Sequence, residues 1–316
     1  MAGLSAEKQI VFTSADARYM PGALVSLYSA MLRSSAKTFI VVTSAPQSEW
    51  PSNRVLQLFD NRGARLVVVE SNTLPLHTMA GATDRFPAEA FARFFADHLP
   101  FGEAARALYV DSDVMALGDL DPLLDLDLGN CCIGAAPDIH AIAKGKLANQ
   151  QARIGLSSSD VYLGSGVLLI DLVRYQQSNV REQLKSILEC RAGQLIYPDQ
   201  DALNLIDRSE IKVMSPSYNF PPGLWRFLTS AEREQIGILH FYDGNKPWGS
   251  RAHRVPANLL TRYDSYAEAM GLLEAIRFER PNPIALHSQI YAQKFWLENV
   301  ARRGAARRAI SDWMAN

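Results

Sequence analysis

The stretch ALYVDSDVMALGDLDPLL, residues 107–124, ends an apolar, β-rich run on two aspartates separated by one serine. Residues i and i+2 of an extended chain point to the same side, so Asp111 and Asp113 converge if the strand geometry continues past Val110. Two ionised carboxylates held together repel each other unless they are neutralised. The pair therefore binds a cation, or one member does chemistry, or both begin a solvated turn. The flanking sequence has to decide.

Upstream, QIVFTSA, TFIVVTSA and ARLVVVES are further runs rich in Val, Ile and Leu, as strands covered on both faces require. Between them PGALVSLYSAMLRSS reads as a helix opened by Pro21, and SEWPSNRVLQLFDNRG as a helix that stops at Gly63. Alternation at this spacing implies βαβ units and an α/β fold with a mostly parallel sheet, of which ALYVDSDV is the fourth strand. In such a sheet the C-terminal strand ends line the ligand crevice, which is where Asp111 and Asp113 fall. PAEAFARFFADHLP carries Phe91, Phe94, Phe95 and His98 at helical spacing, which sets Arg93 about 200° from Phe91 on the wheel. Downstream, CCIGAAPD, SGVLLIDLV, IKVMSP and QIGILHFYDG read as strands and REQLKSILECR as a helix. Residues 138–160 are polar and rich in Gly, Ser and Lys, a long excursion of the kind that forms binding loops or lids.

A chain of 316 residues with 48% hydrophobic content suits one large domain or one domain with an appendage. A net charge of -1 gives no general pull toward nucleic acid or membrane. Cys131, Cys132 and Cys190 are odd in number, with two adjacent, so they do not form a disulfide framework and suit a reducing compartment. MAGLSAEKQIVFTSAD lacks a basic region followed by an apolar one, and no run reaches the ~18–20 apolar residues of a membrane span. The expectation is a cytoplasmic protein. The last forty or so residues read as helical, with Lys294, Arg302, Arg303, Arg307 and Arg308 beside Trp296 and Trp313. Arg303 and Arg307 fall among the apolar positions of the wheel, which favours a packed helix pair over a membrane-surface helix. A basic, tryptophan-bearing tail nevertheless suits a lipid-linked acceptor, with peripheral contact at the inner face of a membrane.

The aspartate pair alone fits two chemistries. In a haloacid-dehalogenase-type phosphatase the first Asp is a nucleophile and the second an acid; in a sugar-nucleotide transferase both hold a metal on a diphosphate. The phosphatase motif belongs early in its domain, with a lysine and a separate acidic pair after it. Here it stands on the fourth strand, and the acids of GDLDPLL follow too closely. Downstream, LHFYDGNKPW ends a strand on His240, with Lys246 in the loop after it. An imidazole completes a metal site and a lysine neutralises a phosphate. That donor set suits a borderline ion such as Mn²⁺ better than Ca²⁺.

LYVDSDV, YLGSGVLLIDL, YPDQDALN and LHFYDGNKPW occur in the order and spacing of the family 8 retaining glycosyltransferases, which the chain resembles over residues 10–248. That family includes bacterial lipooligosaccharide galactosyltransferases and the glycogenins. The resemblance implies a GT-A fold, a single Rossmann-like, mixed and mostly parallel sheet flanked by helices. It implies a UDP-sugar donor used with Mn²⁺, Mg²⁺ being the second choice. Residues 1–255 would form the catalytic domain and residues 256–316 a small helical C-terminal appendage.

By the same resemblance Asp111, Asp113 and His240 are the metal ligands. Ser14, Ala15 and Asp16 meet uracil and ribose, and Tyr19 stacks on the base, a use that suits an aromatic face. Arg93 approaches the donor, Asp199, Gln200 and Asp201 grip the sugar, and Ser112, Gly164, Ser165, Gly244 and Lys246 line the donor. Gln200, Asp201 and Lys246 are the catalytic candidates. Read from the residues alone, Tyr19 is equally a core residue, Arg93 a solvated helix arginine, and Asp199 or Asp201 an N-cap of the helix DALNLID.

Two positions depart from the family. Gly164 stands where an asparagine usually touches the donor sugar, which removes a hydrogen bond and leaves space. Asp243 replaces a glycine, with Gly244 one place later. The expected reaction moves a hexosyl group from a UDP-sugar to an acceptor hydroxyl with retention. The acceptor would be a glycan or glycolipid, lipopolysaccharide and other surface polysaccharides included, and no nucleic acid takes part. The phosphatase and a non-catalytic nucleotide-sugar-binding protein are the alternatives.

Overall fold

A computed structural model describes residues 9–79, 87–100, 102–140, 147–242 and 244–277, with the single positions 304, 307 and 310. Its strands are β1 (Gln9–Ala15), β2 (Thr38–Thr43), β3 (Arg65–Glu70), β4 (Arg106–Val110), β5 (Val114–Ala116), β6 (Ile133–Pro137), β7 (Leu163–Asp171), β8 (Ile211–Val213) and β9 (Ile238–His240). Seven of them form one sheet in the order β3-β2-β1-β4-β7-β6-β8, and β5 pairs with β9 in a second, two-stranded sheet. The β1–β2, β2–β3 and β1–β4 ladders are parallel, whereas β7 runs antiparallel to β4 and β6. The expected mixed, mostly parallel sheet is therefore present.

Period-two alternation sorts the strands' side chains into two cores. Val11, Phe39, Val41, Leu108, Val110, Val167 and Leu169 face one side. Ile10, Phe12, Ile40, Val42, Ala107, Tyr109, Leu168 and Ile170 face the other. The helix Met20–Met31, with a proline in its first turn as expected, packs on the first core. The helix Val180–Cys190 covers the second with Val180, Leu184 and Leu188. Each buried Leu, Ile or Phe contributes roughly 1.5–3 kcal/mol, so covering both faces favours the apolar residues that dominate the central strands.

Several sequence expectations are corrected. Residues 88–98 form a 3-10 helix, Ala88–His98, kinked at Phe95 (φ -120°, ψ 28°), rather than an α-helix. Its tighter winding buries every residue from Phe91 to Ala96, so Arg93 lies inside at 4% exposure instead of on a solvated face. The excursion at 138–160 contains a helix, Leu147–Ile154; residues 141–146 lie outside the described set. The helix Pro198–Leu203 is preceded by Tyr197 at its N-cap, so neither Asp199 nor Asp201 is the cap residue.

Past residue 255 the described chain is helical, over Ala257–Met270 and Leu273–Arg277. Leu259, Tyr263, Ala267 and Met270 of the helix Ala257–Met270 belong to the first core, and Tyr266 meets Tyr28 edge-on at 5.8 Å. The tail's Lys294, Trp296, Arg302, Arg303, Arg308 and Trp313 lie outside the described residues, whereas Arg307 bonds to Phe227 O and Glu232. Among the described residues no helix is long and apolar enough to cross a membrane.

Candidate active site

Strand β4 ends at Val110, the chain turns through Ser112 and Asp113, and β5 begins at Val114. The turn, not a continued strand, brings Asp111 and Asp113 together. Antiparallel pairing of β5 with β9 then sets His240 opposite Val114 and so beside both aspartates. His240 Nε2 lies 3.1 Å from Asp113 Oδ1 and 3.6 Å from Asp111 Oδ2. Strand β7 passes directly beneath: a Cβ on Gly166 would fall 2.2 Å from His240 Cε1 and 2.7 Å from Asp111 Oδ2, so only glycine leaves room.

The buried Arg93 is the centre of the positive charge. Its Nη2 donates to Asp111 Oδ1 at 2.9 Å, its Nη1 lies 2.9 Å from Asp199 Oδ2 and donates to Ser165 O at 2.7 Å, and its Nε donates to Ala90 O. The guanidinium sits 4.6 Å above the Tyr109 ring. Tyr109 in turn donates its hydroxyl to Asp111 Oδ1 at 2.6 Å, and Ser165 Oγ donates to Asp199 Oδ2 at 2.8 Å.

Burial opposes ionisation of Asp111, but the Arg93 charge, the His240 ring and the Tyr109 hydroxyl outweigh it and hold its carboxyl below the usual range. Burial lowers His240 below its ordinary value, which favours the neutral imidazole that ligates metals. Burial also pulls the Lys246 ammonium down to about 8, against the attraction of Asp111. Lys246 donates to Asp113 Oδ2 and, at 2.7 Å, to Phe241 O. Two carboxylates and an imidazole with all contacting atoms within 4.8 Å of one another are the donor set a borderline divalent ion takes, so the residues fit such an ion.

The remaining expected residues fall around this centre. Asp16 Oδ1 accepts from the Tyr19 N–H at 2.9 Å, and Ser14 Oγ is 3.3 Å from the Tyr109 hydroxyl. Tyr19 is half-buried and meets Trp248 edge-on at 5.9 Å, so it is not a pure core residue. Trp248 and Ser112 O both press on the first helix where a Cβ at Gly22 would collide with them, at 2.6 and 2.7 Å. Gln200 donates to Asp138 Oδ2 at 3.0 Å. Gly244 is exposed and neighbours Arg251, while Asp243 is outside the described residues.

Asp201 is placed differently from expectation. Fully buried, its carboxylate accepts from Arg153 Nη1 and Nη2, the Tyr162 hydroxyl, and the N–H groups of Ile196 and Tyr197, all at 2.7–3.0 Å. Five donors fill a carboxylate's acceptor sites and leave none for a sugar. Through Arg153 these bonds join the helix Leu147–Ile154 to the helix Pro198–Leu203, which carries Asp199 and Gln200.

Tyr109, Asp138, Arg153 and Asn219 escaped the sequence reading. Tyr109 was visible as the residue two before Asp111 on the same strand face. Asn219, whose Oδ1 is 2.8 Å from His240 Nδ1, offered no spacing signal.

Comparison with known proteins adds a class to this geometry. The sequence pattern of Glycosyl transferase family 8 matches residues 10–252, and the chain belongs to that family. Glycosyltransferase GlyF of Streptococcus pneumoniae is 23% identical over 77% of this chain, which spans 58% of GlyF's length. The lipopolysaccharide 1,2-glucosyltransferase of Escherichia coli K12 is 24% identical over 74% of this chain and 70% of its own. Among solved structures, the galactosyltransferase LgtC in complex with donor and acceptor sugar analogs superposes with a TM-score of 0.64 at 22% identity, covering 83% of this chain and 95% of LgtC. The fold is therefore GT-A. Family membership displaces the phosphatase alternative.

Proposed function

We propose that this chain transfers a hexosyl group from a UDP-sugar to a hydroxyl of a glycan or glycolipid acceptor, with retention at the anomeric carbon and with Mn²⁺ as the preferred ion. The observation that carries the reading is the meeting of Asp111, Asp113 and His240 with Lys246 at one strand-end crevice, in a chain of this family. A divalent ion held by the two aspartates and the histidine supplies charge stabilisation for the departing diphosphate.

The chain's own groups do the rest. Ser14, Ala15, Asp16 and Tyr19, at the end of β1, receive the nucleoside. Lys246 presents an ammonium to the diphosphate as negative charge develops there, a group fixed before the reaction begins. Arg93 holds Asp111 and Asp199 in fixed directions, and because Ser165 and Arg93 both engage Asp199 at Oδ2, its Oδ1 is the atom that accepts from a sugar hydroxyl. Gln200, anchored by Asp138, is the side chain that touches the reacting face of the sugar. Asp201 positions Gln200 and does not meet the sugar. The likeness to a lipopolysaccharide glucosyltransferase supports a lipopolysaccharide-type acceptor.

The test is UDP release by the purified protein over a panel of UDP-sugars, with Mn²⁺ or with EDTA. One donor should be hydrolysed slowly without acceptor, and EDTA should stop it. No hydrolysis with any donor, together with no Mn²⁺-dependent UDP binding, would overturn the reading.

A further inference from the structure

Gly164 has no backbone reason to be glycine. It lies in β7, and its φ is not among the left-handed ones. Space is the reason. A Cβ on residue 164 would fall 2.3 Å from Asn219 Nδ2 and 3.6 Å from Asn219 Cγ. Asn219 cannot swing aside freely: its side chain is fully buried, and its Oδ1 is 2.8 Å from His240 Nδ1. Its Nδ2 has no hydrogen-bond partner, so the amide keeps this direction although both of its N–H donors are left unpaired. An unpaired buried donor costs about 1–3 kcal/mol, so something must hold the amide there.

We propose that Asn219 is a positioning residue for His240, and that residue 164 is glycine because Asn219's amide occupies the space its side chain would take. With Oδ1 accepting from the Nδ1–H, the imidazole is fixed as the tautomer whose Nε2 lone pair faces Asp113 Oδ1 at 3.1 Å. The opposite amide orientation would protonate Nε2 and turn a donor, not a lone pair, toward the aspartates. Gly164 thus acts on the crevice through Asn219 and His240. The consequence for metal affinity rests on the function proposed above; the consequence for the ring does not. Partners that orient a ligating histidine typically change metal affinity about 10- to 100-fold.

The experiment uses full-length protein labelled with ¹⁵N-histidine, with the His240 signals assigned by their loss in His240→Gln. Nitrogen shifts report the tautomer, and titration with Mn²⁺ alone reports affinity. The wild type should show Nδ1–H at His240. Asn219→Ala and Gly164→Ala should both convert that signal to a mixture and weaken Mn²⁺ binding about 10- to 100-fold, while Asn219→Asp, which keeps an acceptor oxygen, should preserve the tautomer. If Gly164→Ala does not fold, the Asn219→Ala and Asn219→Asp pair still decides. An Nε2–H tautomer in the wild type, or His240 signals unmoved by Asn219→Ala, would overturn the proposal. A tautomer that responds as expected in a protein that never binds Mn²⁺ would support the positioning role and sink the metal-dependent function instead.

Discussion

Two buried carboxylate centres lie in this fold, and they are built on opposite principles. At Asp201 every acceptor site is taken, by an arginine fork, a tyrosine and two backbone amides. At the Asp111–Asp113–His240 centre the atoms that face one another are two oxygens and a ring nitrogen, with the cations Arg93 and Lys246 at the outer edges. The first centre is complete within the chain and fastens segments together. The second, under the function proposed above, is arranged to receive a cation the chain does not supply. Hydrogen-bond completeness, rather than charge or burial, separates Asp201 from the aspartates proposed as ligands.

The comparison breaks if the two centres respond alike. The largest effect is expected from Asp201→Ala, which strands the Arg153 guanidinium, the Tyr162 hydroxyl and two amides. Loss of one partner of a buried pair costs about 3–5 kcal/mol, so urea unfolding should move by that amount. Mn²⁺ affinity of the folded fraction should stay within a factor of a few. A stability close to wild type would show that the Asp201 cluster fastens nothing.

Asp113→Asn should do the reverse. We expect turnover to fall about 10²- to 10³-fold and UDP binding to lose its response to Mn²⁺, while the urea midpoint shifts far less than in Asp201→Ala. Calorimetric titration of UDP with and without the ion is the measurement, and an unchanged metal response would dissolve the distinction between the centres.

The smallest and sharpest probe is Tyr109→Phe. It keeps the ring against Phe12, 5.1 Å between centroids, and under the Arg93 guanidinium, and removes only the hydroxyl that holds Asp111. Mn²⁺ affinity should weaken about tenfold with little change in the thermal midpoint. Equal affinity would mean that Arg93 alone orients Asp111.

What could be read from sequence follows the same division. The sheet was legible because a near-continuous apolar run such as the IVF of QIVFTSA or the FIVV of TFIVVTSA is the local pattern that a two-sided core imposes. Asp111, Asp113 and His240 were legible because each sits at a strand end in a compact motif, and Lys246 because it lies in the loop of the same motif as His240. The rival reading of Arg93 as a solvated helix arginine came from a wheel of 3.6 residues per turn, where the chain winds more tightly. Asp201 drew a role at the sugar because its neighbours in YPDQDALN suggested one, and nothing local reveals that Arg153 and Tyr162 consume its oxygens. Tyr109–Asp111 and Asn219–His240 are tertiary hydrogen bonds, and such contacts leave no periodicity to detect.

The pairing of β5 with β9 also carries a consequence for the order in which the molecule is made. Lys246 follows Asp113 by 133 residues, and His240 precedes Lys246 by less than one turn of loop. Ribosomes add roughly 5–20 residues per second, so the aspartates emerge about 7 to 27 s before their partners. Strands β1 to β4 and β7 can assemble in that interval, and the growing chain carries its acidic pair without the imidazole that completes the ligand set. Asp111, Asp113 and His240 come together only when β9 has been made and docks against β5.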